Sequence, residues 1–133
     1  MLLKQTLATL ALAAFALTAM AADKPVYELR TYTCEPGRLP NLLARFRDHT
    51  TKLFEKHGMK NIGYWVPADG PQHENTLIYI LEHKSRDAAK ASWDAFRADP
   101  AWVKVRTESE VSGKIVTKVD SVYMDATDFS KLK

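Results

Sequence analysis

The sequence predicts an α+β domain in which helices cover one face of a single four-stranded antiparallel sheet, in the order β-α-β-β-α-β. Three observations carry that prediction. Residues 26–33 alternate as a strand does and run into the turn Cys34-Glu35-Pro36-Gly37. Leu39, Leu42, Leu43, Phe46, Thr50, Leu53, Phe54 and His57 then recur at three- and four-residue steps, the spacing of one helix face. Residues 76–83 (Thr-Leu-Ile-Tyr-Ile-Leu-Glu-His) are the most apolar run beyond the N-terminal segment, and Ser85, a good N-cap, opens a second helix straight after them.

Residues 1–21 read as a secretory leader. Lys4 supplies the positive end, residues 7–17 are an Ala- and Leu-rich run, and Ala19-Met20-Ala21 is a small-x-small cleavage pattern. The run is short for a bilayer span, which takes roughly 20 apolar residues, and no cysteine follows for a lipid anchor. The expectation is a cleaved leader over 1–21, a single domain over 22–133, a periplasmic or secreted product and no stable membrane anchor after cleavage. Of the 133 residues, 46% are hydrophobic, enough for a core without staples. The formal charge of +3 falls to about +2 once Lys4 is lost. That balance, with no run of five basic residues, gives no footing for nucleic acid. Cys34 is the only cysteine, so no intrachain disulfide can form, and burial as a small apolar residue is expected.

In chain order, Pro40 suits the first turn of the first helix, which Gly58 should end in a left-handed conformation. Residues 60–66 alternate, with Ile62, Tyr64 and Val66 on one face and Gly63 and Trp65 on the other. A polar loop then joins them to residues 76–83 in an antiparallel hairpin. The second helix spans 86–98 with Ala89, Trp93 and Phe96 on one side. Asp99 and Pro100 cap and start a short extra helix to about Glu110, and Gly113 closes it. Residues 115–124 form the last strand, followed by an irregular tail. This is the split βαβ order of a ferredoxin-like domain. Its uncovered sheet face would show aromatic and aliphatic groups to water, which predicts a homodimer.

Several stretches resemble the NIPSNAP family: Tyr27-Glu28-Leu29-Arg30-Thr31-Tyr32 followed by Gly37, His57-Gly58, Gly63-Tyr64-Trp65, Asp99-Pro100-Ala101-Trp102 and Thr127-Asp128-Phe129-Ser130. The resemblance runs from about Val26 to Ser130 and implies a dimeric α/β barrel. Relatives in that family include interaction proteins. Other families sharing the barrel include cofactor-independent monooxygenases, haem-handling enzymes and isomerases, so fold alone assigns no activity.

Among candidate site residues, Glu28, Arg30 and Tyr32 share one face of the first strand. If Leu29 and its neighbours face the helices, these three point into the barrel interior between two copies. There Arg30 could hold a carboxylate or oxyanion and Glu28 could serve as a base, or the two form a structural ion pair. Trp65 and Tyr79 are candidate aromatic walls. His49 and His57 stand eight residues apart, not at the spacing of paired metal ligands, and His73 and His83 lie on other segments, so no metal and no cofactor is expected. Hydrolase, phosphate-loop, CxxC and HExxH motifs are missing. The reading is a small, largely apolar organic ligand held inside the barrel, with cofactor-independent catalysis through Arg30, Glu28 and Tyr32 open. The alternative is a non-catalytic homodimeric binding or protein-interaction module.

Overall fold

β3, Thr76–His83, is apolar on both faces and pairs on both sides, which makes it an inner strand on which the sheet order rests. The computed structural model describes residues 24–133; the expected leader lies outside the described residues. The other strands are β1 (Val26–Cys34), β2 (Lys60–Trp65) and β4 (Val116–Met124). The order across the sheet is β2-β3-β1-β4, and every neighbouring pair is antiparallel. This is the ferredoxin-like α+β arrangement, with the expected hairpin between β2 and β3.

The first helical stretch comes in three pieces, α1 (Leu39–Arg45), a π-helical turn (Phe46–Thr50) and α2 (Thr51–Lys56). An uninterrupted α-helix was the expectation. The wider turn frees carbonyls that threonine hydroxyls take up: Thr50 Oγ1 donates to Arg45 O at 3.2 Å and Thr51 Oγ1 to Phe46 O at 3.1 Å. Gly58 ends the stretch at φ 78°, as predicted. α3 spans Arg86–Ala98 and α4 spans Pro100–Ser109. Both caps read from the sequence are formed, Ser85 Oγ accepting from Ala88 N–H and Asp99 Oδ1 from Ala101 N–H.

The core lies between the sheet and these helices. Leu77, Tyr79 and Leu81 on β3 meet Leu42, Phe46 and Phe54 from the first helical stretch and Trp93 and Phe96 from α3. Phe54 is the centre of the aromatic packing, with ring centroids 5.0 Å from Phe96, 5.4 Å from Trp93 and 5.9 Å from Tyr79. Each such pair adds about 0.5–1.5 kcal/mol beyond area burial. Cys34 joins this core as a buried free thiol, and burial pushes its pKa up, away from thiolate chemistry.

Among the described residues, no helix packs over the opposite face of the sheet. Leu29 on β1 lies across from Ile80 and Val122, and Trp65 on β2 lies across from Ile78. Trp65 and Val122 are about half exposed, at 51% and 55%. The Trp65 indole lies across Gly63, where a Cβ would come within 2.5 Å of the ring, so glycine there lets the indole lie flat.

Candidate functional site

Glu28, Arg30 and Tyr32 face the helices, which corrects the expectation that they point to the uncovered face. Register shows this directly: Glu28 pairs with Leu81, Arg30 with Tyr79 and Tyr32 with Leu77, all core positions. The physical reason is that the polar set satisfies itself inside the core. Arg30 Nη1 and Ser121 Oγ donate to Glu28 Oε2, each at 2.7 Å. Trp93 Nε1 donates to Oε1 at 2.7 Å, and His83 Nε2 lies 2.9 Å from the same oxygen. A carboxylate with four partners can be buried where a lone one could not. Burial works to raise the Glu28 pKa, but the hydrogen bonds from His83, Ser121, Arg30 and Trp93 outweigh it and hold the group at about 2. Glu28 is therefore a fixed anion at neutral pH, and the role of a base does not suit it.

Arg30 extends this network to Tyr32. Its guanidinium stacks over the Trp93 ring at 4.2 Å, and Nη2 donates to Tyr32 Oη at a long 3.4 Å. Tyr79 is wholly buried beside Tyr32, with ring centroids 5.3 Å apart, and burial drives its hydroxyl well above the usual tyrosine range. Trp65 lies on the other face and takes no part. Four of the five candidates thus come together around Arg30, and the fifth is separated from them by the thickness of the sheet.

Tyr32 also lines a cleft of about 480 Å³ between the sheet and the helices, at the β4 side. The volume is that of a small-molecule site. Its walls include Phe46 and Thr50 from the π turn, Trp102 from α4 and Val119 from β4. Arg45 reaches it from the end of α1, buried at 6% exposure. Arg45 Nη1 donates to Ser109 Oγ at 3.2 Å and lies 3.6 Å from Glu110 Oε1, while its guanidinium sits over the Trp102 ring at 5.3 Å. Arg45 Nε is buried with no hydrogen-bond partner among the described residues. Tyr32 is the residue common to the Glu28 network and the cleft.

A sequence profile of the NIPSNAP family matches residues 27–131. The chain belongs to the NIPSNAP family. Its fold agrees with solved NIPSNAP structures. A family protein of unknown function from Agrobacterium tumefaciens is 22% identical, with 85% of this chain and 100% of that one covered and a TM-score of 0.72. Another from the same organism is 21% identical over 82% and 99%, with a TM-score of 0.71. SnoaB, a cofactor-independent oxygenase from Streptomyces nogalater, is 13% identical over 83% and 99%, with a TM-score of 0.53. At these identities the likeness shows a shared fold. No curated protein sequence matches this NIPSNAP chain.

Neither Arg45 nor Trp102 was among the candidate site residues read from the sequence, so the cleft was missed. A signal was present. Arg45 follows Leu42 by three residues and precedes Phe46, which sets it at the edge of the apolar stripe. The π turn that puts Phe46 and Thr50 in the cleft left no pattern in the sequence.

Proposed function

We propose that this NIPSNAP chain is an exported, homodimeric protein that binds a small, largely apolar organic molecule in the cleft between its sheet and helices. The observation that carries the reading is the cleft itself, about 480 Å³, walled by aromatic rings and bordered by Tyr32 and the buried Arg45. Support for export is the leader pattern of residues 1–21. Support for a second copy is the uncovered sheet face, where Trp65 and Val122 remain half exposed beside Leu29, Ile78 and Ile80. A cofactor-independent reaction on the bound molecule, the type of chemistry named for the structural neighbour SnoaB, would draw on Tyr32. Tyr32 borders the cleft, and its hydroxyl accepts a hydrogen bond from Arg30. A non-catalytic interaction module would use the same uncovered face but would have no need of the cleft.

Native mass spectrometry of protein purified from its own host tests the reading. A co-purifying small molecule, released on denaturation and lost when the cleft is filled, is the expected result. Protein that carries none, and whose intrinsic tryptophan fluorescence does not respond to aromatic probes up to millimolar concentration, would overturn it.

A further inference from the structure

We propose that the cleft selects aromatic acids, a planar ring lying against the Phe46 and Trp102 side and an anionic group meeting Arg45. The proposal rests on the small-molecule reading above and names the class of ligand.

Arg45 supplies the first argument. A guanidinium carries five N–H donors. Nη1 is engaged by Ser109 and Glu110, while Nε is buried without a partner among the described residues. A buried donor left unpaired is costly, and an acceptor brought by a ligand removes that cost. The Nε edge of a guanidinium, with one Nη, matches the two oxygens of a carboxylate.

Charge around the cleft gives an independent second argument. Arg45, Arg106 and Lys114 border it, and Glu110 is the lone acid lining it among the described residues. Glu110 faces both arginines, at 3.6 Å from Arg45 and 3.9 Å from Arg106, so its charge is shared. Burial pulls Arg45 below the usual arginine range, and Glu110 opposes this only in part, so a further anion beside it is favoured. The cleft therefore carries a positive excess that a neutral ligand would not use.

The rings give the third. Tyr32 meets Phe46 edge-on at 5.8 Å, and Trp102 packs on Phe96 at 4.6 Å with the rings tilted by 31°. Such walls accept a flat, polarisable surface rather than a flexible chain.

The test compares 2-naphthoate with 2-naphthamide, equal in shape and differing in charge, by calorimetry and tryptophan quenching on the purified protein. The acid is expected to bind at least about tenfold more tightly, the scale of one charge-assisted contact. That preference should shrink as salt is raised. Arg45→Met, which keeps the aliphatic stem, should erase the preference while the amide still binds. Equal binding of the two probes by the unaltered protein overturns the aromatic-acid inference and leaves the small-molecule reading standing. Failure of both to bind also overturns the aromatic-acid inference, while the small-molecule reading is then decided by whether a molecule co-purifies in native mass spectrometry. The comparison on unaltered protein does not depend on how well the variant folds.

Discussion

Trp93 donates its indole N–H to Glu28 Oε1 at 2.7 Å, joining α3 to β1 across 65 residues of sequence. Arg30 then lies over the same indole ring while holding Oε2 of the same carboxylate. Glu28 thus organises three donors beyond Arg30, from β3, α3 and β4, and Arg30 links them to Tyr32, which borders the cleft. Glu28→Gln keeps the shape but removes the charge and forces an N–H₂ against donors. It should destabilise the fold by about 3–5 kcal/mol, the range for breaking a buried ion pair. Urea unfolding followed by circular dichroism measures it, and a loss under about 1 kcal/mol would mean the network contributes no more than a surface pair.

The same carboxylate makes stability depend on pH. Its pKa is lowered on folding from 4.5 to about 2, so the native state favours the ionised form. The resulting stabilisation is fully present above about pH 4.5 and is lost as pH falls through 2; the shift corresponds to about 3 kcal/mol. Urea midpoints taken from pH 5 down to pH 2 should therefore fall. Glu28→Gln should flatten the slope, and an unchanged slope in that variant would place the acid sensitivity elsewhere.

The element order was legible because each boundary carried local chemistry. Ser85 and Asp99 are caps in sequence and caps in structure, and Gly58 stops its helix where its left-handed backbone allows. The facing of β1 was not legible from its own alternation, because the buried face carries Glu28 and Arg30 while the uncovered face carries Leu29. Hydrophobicity ranks Leu29 as the inward residue. The actual arrangement depends on Trp93, His83 and Ser121 supplying partners from three distant segments, a non-local condition no window of β1 contains. Cys34, expected to be buried, shares the parity of Glu28, Arg30 and Tyr32 and was the available hint. β3 could not arbitrate, since Leu77 to Leu81 are apolar or aromatic at every position.

Asp99 joins two helical ends. It caps α4 through Ala101 N–H at 2.9 Å, and its Oδ2 meets both Lys56 Nζ and His57 Nε2 at 2.7 Å. The hydrogen bonds from Lys56, His57 and the Ala101 N–H hold its pKa well below the usual carboxylate range. Asp99→Ala should lower the melting temperature clearly, whereas Lys56→Ala should lower it little because the lysine is 57% exposed. A scanning-calorimetry comparison in which both variants melt alike would mean that the cap and His57 contribute nothing beyond the lysine pair.

Trp65 is a large aromatic on the uncovered face, 51% exposed and laid flat over Gly63. In a homodimer closed over this face it would sit under the partner's sheet, where an introduced charge is buried without a counterion. Trp65→Asp should convert a dimer to a monomer at micromolar concentration with the same far-ultraviolet circular dichroism. Gel filtration with light scattering reads the mass. A variant that keeps the dimer mass would exclude this face as the contact.

Val119 offers a way to close the cleft without touching its polar groups. It lies opposite Tyr32 in the β1–β4 pairing, on the helix-facing side, and is 43% exposed where it borders the cleft. Because the edge strand leaves room around it, Val119→Trp should be tolerated by the fold while its indole fills space that a ligand ring would need. Binding of 2-naphthoate should weaken by about tenfold or more, with Arg45, Tyr32 and the Glu28 network unaltered. The control is Val122→Trp, on the same strand but on the uncovered face, which should leave binding unchanged. If both variants weaken binding equally, the ligand is not in the helix-side cleft. If only Val122→Trp weakens it, the ligand lies against the face where Trp65 stands.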